Sequence, residues 1–394
     1  MNTPGYQQGV ALLIIVLALL SGSALILANE YRSGIRNDRL ESVLAAKQAL
    51  IAYAVNYADD YGHNTRGGTG RLPCPSLQRY GSPARSCREN EIGYLPSVWM
   101  RNQRLMEIDY LERFFDQDIW YAVSADHRYN PAFNTLNSYP DTGLFSVDSM
   151  HEVVAVLISP GTALGTQHRG AVSGQLPGSA IAEYLEGENA DMDNAFTLTN
   201  QNDLLVPIRR SELIPLMERK VLGYAKQWLI EYKQLYGYYP YASALGGDGQ
   251  CVSGLTRGEM ATEAGSCTGQ PFLDMAFVNL PGNRVLRDTW FARYDWPALI
   301  YYLVDESCTE VRGATDCDGV NDPARTLHVN GEPAEVILFS VGAPIDTLPV
   351  GGMQVRSTPD LAQYLDTNAV LSAVDSYPVP VRSAVSNDQV VIIN

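Results

Sequence analysis

Seven acidic side chains crowd into two short, turn-rich stretches, and they are the chain's best candidates for chemistry. Glu186, Glu188, Asp191 and Asp193 lie within LEGENADMDN, and Asp316, Asp318 and Asp322 within TDCDGVND. Oxygen-rich loops of this kind chelate Ca²⁺. Neither follows the EF-hand spacing, so an acidic surface loop is the plainer reading of each. Six cysteines form a second set. They occur as Cys74/Cys87, Cys251/Cys267 and Cys308/Cys317. Their even number and short separations fit three local disulfides in an oxidising compartment, and no CxxC or Cys/His cluster offers a metal site instead. The five histidines, His63, His127, His151, His168 and His328, are scattered, with no HExxH and no GxSxG elbow. No catalytic residue is assigned, and the chain is not expected to be an enzyme. The tryptophans and the Tyr236, Tyr238 and Tyr239 run could make a ligand-binding face, but rings of this kind more often fill core and rim.

The elements that would carry these groups begin with Gly9 to Ala28, GVALLIIVLALLSGSALILA, inside a stretch from Met1 to Asn29 without a charged side chain. About 20 apolar residues at roughly 1.5 Å rise match the thickness of a bilayer core. Beyond Glu30 an amphipathic spacing continues through Leu40, Val43, Leu44, Leu50, Ile51 and Ala54. Lys47 intrudes on it, and its stem is expected to lie along the apolar face with the amine in water. A net charge of −16 argues against nucleic acid as a partner, since phosphate binding needs a basic surface. Arg32, Arg36 and Arg39 follow the apolar run on a side that the positive-inside bias would keep cytoplasmic. The cysteines argue for export instead.

The chain then repeats itself. AKQALIAY (Ala46 to Tyr53) returns as AKQWLIEY (Ala225 to Tyr232), and Cys74/Cys87 as Cys251/Cys267. EVVAVLISPG (from Glu152) returns as EVILFSVGA (from Glu335), IAEYLEGEN (from Ile181) as LAQYLDTN (from Leu361), and NDLLVPI (from Asn202) as NDQVVII (from Asn387). Five blocks in unbroken order predict a tandem duplication of one unit with its own core. The expected fold class is α+β: a long N-terminal transmembrane-plus-amphipathic helix packed on an antiparallel sheet, with the head unit duplicated in tandem. The expected divisions are residues 1–9 as a leader, 10–29 as a transmembrane helix, 30–210 as a first head with its stem helix, and 211–394 as a second head.

A leader ending in Gly9, the apolar run from Val10 and the amphipathic continuation resemble the type IV pilin-like proteins. The likeness is strongest to the minor pseudopilins of type II secretion and minor type IV pilus subunits. AKQALIAYAV, GRLPCP and YLEGEN are similar to blocks of bacterial prepilin-type proteins. The resemblance implies cleavage after Gly9 by a prepilin peptidase and methylation of the new terminus, Val10. It implies a single-pass protein of the bacterial inner membrane, its heads in the periplasm or on a filament outside, with other pilin or pseudopilin subunits as partners through the N-terminal helix. The family's fifth mature position is usually Glu, and here it is Ile14. A subunit lacking that carboxylate would serve at the filament tip or in initiation. Tip-located K-type pseudopilins carry calcium in their heads, which keeps calcium open as a cofactor; no other is expected. The competing reading is a signal-anchored periplasmic or surface binding protein of adhesin type.

Overall fold

The structure is a computed structural model. It describes residues 36–394 apart from 57–68, 108–117, 129–134, 170–177, 199–201, 268–288, 311–316, 318–325, 346–352, 372–374 and gaps of one or two positions. A first helix, α1, covers residues 36–56. A second, α2, runs Arg210–Tyr236. Two further helices, Trp290–Arg293 and Asn368–Leu371, are single turns.

The strands of the first half are β1 (Ile92–Tyr94), β2 (Val98–Arg101), β3 (Arg104–Glu107), β4 (Trp120–Val123), β5 (Phe145–Val147), β6 (Met150–Ser159), β7 (Ala195–Phe196) and β8 (Leu204–Arg209). Those of the second are β9 (Arg257–Glu259), β10 (Ile300–Val304), β11 (His328–Val329), β12 (Glu332–Pro333), β13 (Val336–Ser340), β14 (Ser376–Tyr377) and β15 (Gln389–Ile393). The six-stranded sheet has the order β1-β4-β6-β5-β7, with β8 also on β6; the four-stranded sheet runs β15-β13-β10-β9. Smaller sheets join β12-β11-β14 and β2-β3.

Side-chain alternation explains the layering. In β4, Tyr121 and Val123 face α1, whereas Trp120 and Ala122 face the other way. On the α1 side Val43, Ala46, Leu50, Ile51 and Ala54 pack with Val154 and Leu157 of β6. On the opposite side Val153, Val156 and Ile158 meet Tyr184, Leu185 and Phe196. The second sheet buries β10 and β13 along their whole length, with Val221, Ala225, Trp228 and Leu229 of α2 in the same cluster. Glu212 accepts from the Arg209 backbone N–H at the start of α2. Gly237, at φ 81°, ends it by donating to Lys233 O. The two halves touch: Leu213 joins the first core, Leu136 the second, and Met217 packs on the Gly70 turn.

This overturns the expected fold class, a long N-terminal transmembrane-plus-amphipathic helix on one antiparallel sheet, repeated. Four separate sheets form among the described residues, and β5·β7 and β11·β14 pair in parallel. Short strands, β7, β11, β12 and β14, join the longer ones. Among the described residues no helix is long and apolar enough to cross a membrane. α1 opens on Arg36, Asp38, Arg39 and Glu41, and that charge disqualifies it. The transmembrane character and the single-pass inner-membrane location read from the sequence are corrected on that ground. The expected leader (1–9) and membrane helix (10–29) lie outside the described residues. Lys47 also departs from expectation. Its ammonium reaches Glu212 at 2.6 Å and donates to Pro207 O at 2.8 Å, so it spans two elements instead of trailing into water.

Candidate functional site

Cys74–Cys87, Cys251–Cys267 and Cys308–Cys317 are each closed as disulfides, with Cα separations of 5.5, 5.8 and 4.7 Å. These bonds fit an oxidising compartment. Cys308 and Cys317 lie beside the buried Glu335, but bonded sulfurs offer no thiolate, so this trio is not a metal site.

The acidic loop divides. Glu188, Asp191 and Asp193 gather on the surface with ligand atoms within 4.8 Å of one another. Asp193 Oδ1 is already engaged, accepting from Ala195 N at 2.6 Å. Glu186 turns away from them into the interior. Asp316, Asp318 and Asp322 lie outside the described residues, as do Gly9, Val10 and Ile14. Ser124 Oγ sits 3.2 Å from His127 Nδ1, and burial pushes the imidazole pKa down to about 4. Both side chains have 0% exposure, so no substrate reaches the pair.

Glu186 belongs to a polar clamp that occurs twice, half-buried in the first half of the chain and buried in the second. In the first half, Glu186 N donates to Asp203 Oδ2 at 3.0 Å, and Asn202 N donates to Glu186 Oε2 at 3.0 Å. In the second, Asp366 N donates to Asp388 Oδ2 at 2.9 Å, and Asn387 N to Asp366 Oδ2 at 2.7 Å. Asn202 Nδ2 donates to Thr162 O, and Asn387 Nδ2 to Ala343 O. Each clamp is closed by an arginine. Arg169 donates to the carbonyls of Gly161 and Tyr184 and to Gln167 Oε1. Arg356 donates to the carbonyls of Val341, Gly342 and Gln363 and to Gln354 Oε1. The two guanidinium carbons lie 5.8 Å from the ring centroids of Tyr184 and Tyr364.

The clamp ties three things together: the end of the long central strand, the turn holding Tyr-Leu-acid, and the start of the closing strand. Its glycines are there for space. A Cβ on Gly161 would enter the Asn202 side chain, and one on Gly342, at φ 57°, the Asn387 side chain. In the second half the clamp also reaches across the molecule. Arg356 Nε donates to Asn137 O at 3.4 Å, and Asn137 Nδ2 donates to Glu218 Oε1 at 3.0 Å. Glu218 Oε2 accepts from Gln389 Nε2 at 2.6 Å.

Burial governs the charges. The Asp203 carboxyl is pushed up to about 6 by burial, with Glu186 adding to the rise. Burial and the neighbouring Asp366 push Asp388 well above the carboxylate range. Asp366 is raised by burial as well. Burial also lowers Arg356, to about 10, while Asp388 and Asp366 oppose the fall. Two carboxyls this close in the interior share a proton more readily than they both ionise. With Asp388 only 2% exposed and Asp366 8%, the pair acts as an internal lock.

Sequence reasoning left Glu186 among the carboxylates of an acidic surface loop, with calcium as the alternative, and overlooked Arg169, Arg356, Gln167 and Gln354. A signal existed: both halves carry Gln-x-Arg, as QHR at 167–169 and QVR at 354–356. Compared with known proteins, the chain matches no family model, no curated protein and no solved structure.

Proposed function

We propose that this protein is a structural, non-catalytic subunit of an extracytoplasmic assembly, a minor pilin or pseudopilin of a type IV pilus or type II secretion system. Its place there is at the tip or in initiation. The observation that carries the reading is the outer face of α1. Val43, Ala46, Leu50 and Ala54 are buried on the first sheet, while Leu40 and Leu44, one helical turn apart, stay 36% and 43% exposed. An apolar pair on the free side of a helix already seated on its own sheet suits packing against a helix of another subunit. The three disulfides support an oxidising compartment. The resemblance of residues 7–60 to pilin-like proteins supports the family, and Ile14 at the fifth mature position supports the tip.

The test is cross-linking in cells producing the protein with Leu40→Cys or Leu44→Cys. Adducts to another pilin-like subunit are expected from these positions and not from Lys47→Cys, which faces inward. Mass spectrometry of the mature protein should find N-methylated Val10 as its first residue. An unprocessed Met1 together with no adducts sinks the reading.

A further inference from the structure

The closing strands β8 and β15 occupy equivalent places, yet their outer edges differ. Among the described residues β15 pairs only with β13 and stands at the end of its sheet. In an antiparallel ladder the N–H and C=O of one residue point to the same side. Lys226 Nζ donates to Ile392 O at 2.8 Å from α2, outside the ladder. Ile392 therefore turns both its backbone groups outward, and Val390, two residues before it, does the same. β8 shares this geometry through Lys47 and Pro207 O. There the outward residue is a proline, which has no N–H to offer, and Arg209 stands exposed at the strand's end. Proline and charge are the devices that keep an edge from pairing. β15 reads Gln-Val-Val-Ile-Ile and has neither.

A groove of 460 Å³ follows this edge, lined by Leu222, Val379, Pro380, Val390 and Val391, with Arg219 beside them. Val379 is 43% exposed. Arg219 is exposed and has no partner among the described residues. Buried Asp388, at the same groove, has an Oδ1 that accepts no hydrogen bond. The stretch from Asp388 to Val391 spans about 10 Å as extended chain, room for a strand of about four residues.

We propose that the outer edge of β15 takes an extended peptide strand from a partner protein, apolar at alternate positions and bearing a carboxylate that meets Arg219. Backbone bonds to Val390 and to the Ile392 N–H give affinity, the Ile392 carbonyl already accepting from Lys226, and the groove selects side chains. A second copy of this chain is the poorer occupant, because each carries a net charge of −16 and like charge opposes association. The inference does not depend on the filament reading.

The probe is a fluorescent, end-blocked peptide alternating valine and threonine with one central glutamate, titrated into the whole protein and followed by anisotropy. Saturable binding is expected. Ile392→Pro copies the residue that β8 already accommodates and should weaken it at least tenfold. Arg219→Glu, a surface change, should weaken it similarly and reverse the preference toward a peptide with lysine in place of glutamate. No saturation up to about 1 mM, or unchanged binding by Ile392→Pro, overturns the proposal. So does a concentration-dependent dimer in sedimentation that Ile392→Pro abolishes, since the edge then belongs to a second copy.

Discussion

The guanidinium of Arg356 lies 5.8 Å from the centre of the Tyr364 ring, and both are buried. The arginine also donates to the carbonyls of Val341 and Gly342, just past the end of β13. Tyr364 in turn donates its hydroxyl to Glu259 at 2.7 Å. One cation thus joins a strand end, a turn and, through Asn137, the first half of the molecule. Arg169 over Tyr184 repeats the arrangement in a more exposed setting.

Removing Arg356 strands two buried acids and several carbonyls. Arg356→Ala is expected to cost about 3–5 kcal/mol, the range for breaking a buried charge network. Arg356→Lys should recover little, because an ammonium cannot serve this fan of acceptors. Arg169→Ala should cost clearly less, since Arg169 is only half-buried. Urea midpoints of the three variants at neutral pH give the ranking.

Acidity should stabilise the clamps. The Asp203 carboxyl stands at about 6 in the fold, against about 3.9 when unfolded. A group raised in this way binds more protons folded than unfolded between those values. Its contribution is complete below about 3.9 and is lost as pH rises through about 6. Asp388, facing Asp366, Arg356 and Glu218, acts in the same direction. Asp203 faces Glu186, Arg169 and Arg39. The urea midpoint should therefore fall between pH 5 and 7.5, and Asp203→Asn should flatten part of that slope. A midpoint that rises across this range would contradict the assignment.

The Gly342 and Gly161 positions test the repeat. Gly342→Ala needs both a positive φ and the space held by Asn387. It should lower stability by about 1–3 kcal/mol, as overpacking does. Gly161→Ala meets Asn202 and should lose a similar amount. Pairing Gly342→Ala with Asn387→Ala should recover part of the steric loss, which a double-variant cycle reads directly.

Opening the Cys74–Cys87 loop, whose cysteines are 13 residues apart, should cost about 3 kcal/mol by the loop-entropy relation. The paired Cys74→Ser, Cys87→Ser variant would show it as a lower thermal midpoint. Both sulfurs lie in the first core, so the serine hydroxyls add to the loss.

The local features of this chain were open to inspection before any fold was known. A continuous apolar run marks β6, a helical stripe marks α2, and the three short cysteine loops declare themselves by spacing. The acid blocks YLEGEN and YLDTN and the Asn-Asp pairs are also visible as repeats. Their meaning was not. Glu186 looked like one of four loop carboxylates, because nothing in a linear string says which of them turns inward.

The amino-acid order by itself determined those periodicities, because helix and strand patterns and short loops depend on neighbours a few residues apart. Tertiary structure alone decided the rest: the split into separate sheets, the clamps and the unpaired outer edge of β15 among the described residues. Arg356 finds Asn137, and Lys47 finds Glu212, only after distant segments have packed. A long cation takes its partners from whatever carbonyls and carboxylates the fold leaves within reach, and that choice leaves no period in the chain.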